Sequence, residues 1–576
     1  MSDLKNIIIA VSLTIAIILG WQFFYETPRM KLREQARQSQ AVKKESAAKQ
    51  KETQIGKSTN ARSTFFADRD EAIKKSRASR IKISSPKLGG SISLVGARLD
   101  DLVLLKYKTT LDKDSDPVAL FSPSKYKDAY FAEFGWTSDD QLELPTVNTL
   151  WKANKETLKA NDNVVLSWES PRGLVFKIDI SLDKDYMFTV TQTIKNQSSR
   201  TVDIKNYALI NRIFVLDDKQ SKISHEGGVG VFNNILKEVS YKDMETEKLV
   251  ALDNNPSGSW FGFSDKYWLT AIIPQMGGKK FNARFQCAHN VGRNKFQIDY
   301  ISENQTLEPG EVSKSSTNLF AGAKVLSLLD AYEQKYKISL FDRAIDFGWF
   351  YFITKPMFNA LKYFYDLFGN FGVSILIVTI IVKLLLFPLG NKSYKSMNKM
   401  KTLQPEMTRI KALHADDKMK QNQAVMELYK KEKVSPLSGC LPMLIQIPIF
   451  FSLYKVLFIS IEMRQAPFFG WIKDLSVPDP TSAFNLFGLL PISPPTFLMI
   501  GAWPIIMAIT MFLQQSLSPE PADPMQAKVM KFLPLFFLFM FSSFPAGLVI
   551  YWAWSNTLSI AQQYGIKYLH KESKKA

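Results

Sequence analysis

Cysteine is almost absent from these 576 residues: only Cys287 and Cys440 occur. Two thiols cannot build a disulfide framework, and the topology derived below puts them on opposite sides of a membrane or within it, so no disulfide is expected. Histidine is nearly as scarce. His225, His289, His414 and His570 are scattered without HExxH or Cys/His spacing, which reads as ordinary surface histidines and argues against a metal site. The GGKK at Gly277 lacks the upstream glycine and the downstream Ser or Thr of a phosphate-binding loop, so it reads as a surface turn. No catalytic triad is visible, and no cofactor is expected. The apolar runs contain neither Asp, Glu nor His, which argues against an intramembrane protease and weakens the case for an internal salt bridge or a proton relay.

Basic residues and long apolar runs are plentiful. The formal net charge is +19 and the hydrophobic fraction 46%, with a mean hydropathy of −0.09. That average mixes two solvents: apolar runs of spanning length lie at the N-terminus and after about residue 370, with a water-soluble stretch between them. Lys and Arg sit mostly beside those runs, a placement that points to membrane orientation and anionic lipid headgroups rather than to DNA. Contact of the basic parts with ribosomal RNA stays open.

Asn6 to Phe24 is uncharged over 19 residues and ends in Trp21, Phe23 and Phe24, as expected of an uncleaved signal anchor. Glu26 to Thr64 has no aromatic residue and reads as a disordered tether. From about residue 80 to 340 the pattern is β: Phe176, Ile178 and Ile180 alternate with polar neighbours, Asp183 to Asp185 turn, and Phe188, Val190 and Ile194 resume. Similar stretches at Ile81 to Tyr107, Thr201 to Val215 and Asn294 to Ile301 imply a large all-β sandwich. In Phe347 to Phe368, Lys355, Asn359, Lys362 and Asp366 form one polar stripe, as on a helix lying in the interface plane; a distorted span through Pro356 is the alternative.

Five more spans are expected. Phe371 to Leu389 carries one charge, Lys383; Leu441 to Ile461 carries Lys455, for which snorkelling to the external headgroups is the favoured account; Phe497 to Leu517 carries none. Between Lys531 and Lys567 lie 35 uncharged residues broken at Pro545, Ala546 and Gly547, a tight hairpin of two spans. The first of these, Phe532 to Phe544, is short and must recruit flanking residues or thin the bilayer. Loop Asn391 to Ser435 holds 11 Lys or Arg, whereas loop Glu462 to Thr496 holds only Arg464 and Lys473, which puts the first loop in the cytosol and the second outside. Six spans then place both termini in the cytosol and the β domain outside it.

The expected architecture is a polytopic α-helical membrane protein with six spans and a five-helix core, a large all-β sandwich domain and a cytosolic helical hairpin. Its segments are a signal-anchor span (1–25), a disordered basic linker (26–79), the β sandwich (80–345), an interfacial amphipathic helix (346–370), a second span (371–390), the cytosolic hairpin (391–436), spans three to six (437–566) and a basic tail (567–576).

Lys383 is the most informative residue. It lies about 18 Å along a helix from Phe371, in the cytosolic half, with Thr379 one turn earlier on the same face. A charge in a span by default marks a polar cavity, while simple snorkelling is the alternative. In the cytosolic loop, Met397, Met400, Leu403, Met407, Ile410 and Leu413, then Met419, Val425 and Met426 after the Asp416-Asp417 turn, form an amphipathic helical hairpin. Deformable methionines suit a docking surface; self-packing of two helices fits the spacing equally. Phe450, Phe451, Leu533, Phe536 and Phe537 give apolar faces that could receive a client helix, or could simply face lipid.

The strings IIVKLLLFPLGNKSYKSMNKMKTLQP, KKEKVSPLSGCLPMLIQIPIFFSLYKVLF, RQAPFFGWIKDLS, DPMQAKVMKFLP and FPAGLVIYWAWSNTLSIAQQ resemble, in order, the signatures of the YidC/Oxa insertase family over about residues 345 to 570. The anchor and large external domain resemble its Gram-negative form. The resemblance implies a bacterial inner-membrane protein that inserts and folds nascent membrane proteins without covalent chemistry, alone or beside the Sec translocon, through a hydrophilic groove in the inner leaflet and an apolar slide. Further partners implied are membrane lipids, with the ribosome and the signal-recognition-particle receptor as candidates. By that likeness Lys383 sits where most relatives carry arginine, Thr379 is its polar neighbour, and the last span contributes Tyr551 and Trp552, the latter where tyrosine is more usual. A secondary transporter and a non-catalytic translocon scaffold are the competing readings, though neither paired repeats nor midplane acids are visible.

Overall fold

The computed structural model describes residues 66–572 apart from 67, 217–223, 253–257, 276, 278–279, 291–292, 349, 415–416, 433, 435–440, 489, 491–498 and 518–523. The signal anchor, the tether up to Thr64, Cys440, Asp416, Phe497 and the end of the basic tail therefore lie outside the described residues.

The alternation around residue 180 is a β-hairpin. Leu174–Leu182 pairs antiparallel with Met187–Asn196, matching Ile180 with Val190 and Phe176 with Ile194, and all four are essentially fully buried. With a side-chain period of two, that register sends every apolar residue to one face. The hairpin belongs to a 9-stranded sheet ordered Ile235–Ser240, Gly227–Phe232, Trp260–Ser264, Trp268–Gln275, Val312–Ala323, Met187–Asn196, Leu174–Leu182, Asp162–Glu169, Lys152–Ala153. An 11-stranded sheet faces it, running Leu249–Leu252, Phe281–Asn290, Arg293–Ser302, Val202–Phe214, Tyr130–Thr137, Arg98–Lys108, Leu88–Ser93, Arg80–Ser84, Thr157–Lys159, with Gln305–Leu307 and Pro117–Phe121 as side branches. Trp136 of this sheet meets Phe176 of the other edge to face at 5.0 Å. Each such buried side chain contributes roughly 1.5–3 kcal/mol. Polar groups inside the sandwich bond across it: Gln192 Nε2 donates to Gly135 O at 2.6 Å, Tyr300 Oη lies 2.6 Å from Thr317 Oγ1, and Tyr130 meets Thr270. Cys287 is buried in the strand Phe281–Asn290 and unbridged; burial pushes its thiol up to about 11.

The helices are α1 (Arg69–Lys75), α2 (Tyr241–Glu247), α3 (Leu326–Tyr336), α4 (Tyr351–Phe368), α5 (Phe371–Leu385), α6 (Phe387–Thr402), α7 (Gln404–Leu413), α8 (Lys418–Lys431), α9 (Leu441–Ile459), α10 (Ala502–Leu517), α11 (Pro524–Phe541) and α12 (Ala546–Glu572). The linker expected to be disordered as far as residue 79 is corrected at α1. Asp68 caps that helix, and Arg69 bonds Asp101 and the Phe121 carbonyl, so specific polar pairing orders a segment whose composition alone reads as unstructured.

The span expected from Phe371 to Leu389 is also corrected. α5 starts on an Asn370 cap and stops at Leu385, 15 residues or about 22 Å, before α6 restarts at Phe387. Pro388 cannot donate back to the Leu384 carbonyl and disfavours helical geometry at Phe387, which breaks the run. α10 starts at Ala502 rather than Phe497, because its cap comes from elsewhere: Asp479 Oδ2 accepts from Trp503 N at 2.9 Å and Thr481 Oγ1 from Ala502 N at 3.0 Å. α11 begins at Pro524, before Lys531, and ends at Phe541 rather than Phe544. Among the described residues no single helix is long and apolar enough to cross a membrane; the bent pair α5 and α6 is, by length and composition, and Ile445–Ile459 and α10 are shorter apolar helices.

The β domain is tied to the helices by specific contacts. Leu326 N, at the start of α3, donates to Glu462 Oε1 at 3.3 Å, and Arg464 Nη2 donates to the Lys108 carbonyl at 2.5 Å. Lys355 of α4 bridges Asp330 at 2.9 Å and Asp342 at 2.7 Å. Lys455, for which snorkelling was the expectation, instead pairs with Asp346 at 2.9 Å; a carboxylate brought by the chain leading into α4 replaces headgroup water. In the separate unit of 390–441, α7 and α8 form a hairpin in which Asp417 caps α8 and Tyr429 Oη meets Met407 Sδ at 3.5 Å.

Lys324 ends the strand Val312–Ala323, buried, with Nζ donating to Ser264 Oγ at 3.1 Å. Burial pulls its ammonium down to about 8 against the opposing pull of Asp265, Asp346, Glu226 and Glu238. Between about pH 8 and the ordinary 10.5 the unfolded chain holds a proton that the folded chain has lost, so this group makes stability rise with pH across that window. Lys324→Met should therefore stabilise the domain at pH 7 by an amount on the order of 3 kcal/mol, with the advantage shrinking towards pH 10.5. Thermal unfolding of both chains in detergent against pH checks this; a pH-independent difference would contradict it.

Candidate functional site

α12 is the element on which the site is built. Its first N–H groups have no partner within the helix, and the loop before α10 supplies them: Ala546 N donates to Val477 O at 2.8 Å and Gly547 N to Leu475 O at 3.0 Å. Glycine at 547 lets α12 approach α9 closely, since a Cβ there would stand 2.9 Å from Leu457 Cδ2 and displace that side chain. From this anchored start α12 runs past α9, α11, α10 and α5. Tyr551 is buried and bonds Gln446 of α9; Trp554 Nε1 donates to Leu376 O of α5 at 3.2 Å; Asn556 Nδ2 donates to Thr510 Oγ1 of α10 at 3.3 Å.

Lys383 lies on the border of α5 between a buried side, with Ile375 and Thr379, and an exposed apolar side, with Ile380, Ile381, Leu384 and Leu385. It is half-buried, and its Nζ donates to Ser559 Oγ of α12 at 2.9 Å. Ser559 in turn donates to the Ser555 carbonyl at 2.9 Å. An ammonium has three donors, and among the described residues this is the only hydrogen bond Lys383 makes. Among the described residues no carboxylate pairs with it. Thr379 shares the face but not the interaction: its hydroxyl donates to Ile375 O at 2.6 Å, satisfied by its own helix.

Trp552 does not join the polar set. Its ring packs against Phe450 at 4.9 Å, Phe537 at 5.8 Å and Phe541 at 4.9 Å, so three residues expected in two separate sites form one aromatic cluster. Phe451 and Phe536 are exposed, and Leu533 and Phe536 line a shallow apolar hollow of about 330 Å³ with Lys528, Val529 and Phe532. Of the loop methionines, Met407 is buried within the hairpin, Met397 and Met400 are half-buried, and Met419 and Met426 are exposed.

Sequence reasoning missed Ser559, Gln446 and Asn556. Tyr551, Ser555 and Ser559 recur every four residues, one face of a helix, and that spacing was the available signal. Gln446 and Asn556 gave none, because a single amide in an apolar run has no periodic partner.

A large two-sheet β sandwich joined to a region of apolar helices defines the class as a protein of one β domain and one helical domain, with Lys383 on a helix of the second. Comparison with known proteins narrows this. The YidC periplasmic domain model matches residues 80–360 and the 60Kd inner membrane protein model residues 363–574. The membrane protein insertase YidC of Rickettsia massiliae (strain Mtu5) is 52% identical over 98% of this chain and 99% of its own, and that of Rickettsia africae (strain ESF-5) 53% identical over the same shares. A solved structure described as an active YidC insertase crystal structure with the first transmembrane domain resolved aligns over 84% of this chain and 92% of its own at 17% identity, with a TM-score of 0.34. The chain belongs to the YidC family of membrane protein insertases, with a periplasmic β-sandwich domain and a helical C-terminal region.

The aromatic cluster makes Trp552 a packing centre. Trp552→Ala should lower the stability of the helical region by about 3–5 kcal/mol, whereas Trp552→Tyr should retain most of it. Thermal unfolding in detergent distinguishes the two; an unshifted midpoint for the alanine variant would show that the cluster carries little.

Proposed function

We propose that this chain is an insertase of nascent inner-membrane proteins and that Lys383 is the cation its clients meet. The observation that carries the reading is the Lys383–Ser559 contact: an ammonium held by one neutral hydroxyl, with two donors left for water or a client. Ser555, Asn556 and Ser559 on α12 give it a polar wall, and Ile380, Ile381, Leu384 and Leu385 face away from it. A client's acidic or hydrophilic tail would be drawn into that wet groove from the cytosol. Its hydrophobic segment would meanwhile slide along Phe450, Phe451, Leu533, Phe536 and Phe537 into lipid. Tyr551 and Thr379 shape the groove by packing rather than by contact with the cation, and Trp552 supports the slide.

The same proposal takes the six-span topology, both termini in the cytosol, and the segment boundaries given above except where α1, α5 and α10 revise them. α5 then spans only with a thinned bilayer, since about 22 Å falls short of ~30 Å of hydrocarbon. Exposed Met419 and Met426 make the cytosolic hairpin a docking surface for the ribosome or the signal-recognition-particle receptor, and the Sec translocon is a partner for larger clients.

Lysine keeps the charge of the arginine common in relatives but not its planar fork. In proteoliposomes containing this chain and no translocon, Lys383→Arg should insert single-span clients with acidic outer tails as well as the parent, and Lys383→Ala should lose most of that activity. Equal insertion by the alanine variant would discard the cation's role. Dependence of the parent on a solute gradient would favour a transporter, and failure without the translocon a scaffold.

A further inference from the structure

The segment joining α9 to α10 carries a feature that insertion through the groove does not use. From Pro480 to Pro519 the sequence has no charged residue. Within it the short turn Ala483–Gly488 exposes Phe484, Leu486 and Phe487 by 52%, 54% and 52%. Leu486 and Phe487 both have left-handed backbones, with φ of 49° and 57° and ψ of 47° and 33°. A Cβ is strained in that region, and Asn or Gly would occupy it more easily. The turn is nonetheless fixed. Phe487 N donates to Ser482 O at 2.8 Å, Leu490 N to Asn485 O at 3.0 Å, and Ala483 N to Ile500 O at 2.9 Å, two residues before α10. Ser482 beneath it is fully buried.

Strain retained together with exposed apolar bulk points to a partner that rewards the side chains. The turn is flanked by two apolar helices of an inner-membrane protein family, and without a charge it offers a protein partner no electrostatic complement. Nearby Trp471 exposes its ring while its indole N–H donates to Asp479 Oδ1 at 3.1 Å, an apolar body with a satisfied polar end as found at membrane interfaces. We propose that Phe484, Leu486 and Phe487 are immersed in the acyl region of the outer leaflet, an anchor that fixes the external end of α10. This rests on the membrane placement of α9 and α10 proposed above, not on the cation groove.

The test is nitroxide labelling of the full chain in phosphatidylethanolamine and phosphatidylglycerol vesicles, with Cys287 and Cys440 replaced by alanine and a single cysteine at Phe484, at Phe512 on the exposed side of α10, or at exposed Asn148 of the β domain. Collision with oxygen should exceed collision with a water-soluble nickel chelate at Phe484, as at Phe512, and the reverse should hold at Asn148. Leu486→Asn with Phe487→Gly suits the left-handed backbone and keeps the turn, yet should shift the Phe484 label to the Asn148 pattern. A water-exposed label at Phe484 with Phe512 immersed would overturn the anchor alone, and so would a label shielded from both reagents, which would mean a covering protein. A water-exposed label at Phe512 would overturn the membrane placement with it.

Discussion

An ammonium in an apolar bundle is stable only if something replaces the water it gives up, and Lys383 has a single serine for that purpose. In the proposed mechanism water takes its other two protons, which requires the neighbouring helices to leave it wet. α12 places Ser559, bonded to the Ser555 carbonyl, beside Lys383 and, one to two turns earlier along its length, packs Tyr551 and Trp552 against α9 and α11. A helix that serves both solvents cannot be uniformly apolar.

The other cations near the helical region are treated differently. Lys455 and Lys355 each have carboxylates within 2.9 Å, and Arg464 donates to a backbone carbonyl. These contacts fasten the β domain to α4 and α9, and the carboxylates neutralise Lys455 and Lys355 within the protein. Lys383 keeps donors that no described residue takes up, and its proposed role as a binding group rests on that difference. A carboxylate beside it would have satisfied it and removed its attraction for an acidic client.

Periodicity made much of this legible. The hairpin of Phe176 to Ile194 could be read residue by residue because one face is wholly buried, and Lys383 stood out because charges in apolar runs are costly. What sequence hid depends on partners far along the chain: the Asp479 cap on α10, Asp346 for Lys455, Ser559 for Lys383 across 176 residues, and the Asp101 contact that orders Arg69. Pro388 was visible, but its effect was lost in a hydropathy pattern that continues through Leu389. Trp552 was placed with the groove by likeness to a tyrosine, whereas its indole has no use for a hydroxyl's place and joins Phe450 instead.

Hydration of position 383 is the point on which the mechanism stands. The most direct measurement is the rate at which Lys383→Cys, in inverted membrane vesicles, reacts with a membrane-impermeant maleimide added from the cytosolic side. Alkylation at a rate approaching that of a cysteine at exposed Met419 is the expected result. A thiol that reacts only with a lipid-soluble reagent, or not at all, would contradict a wet cationic groove.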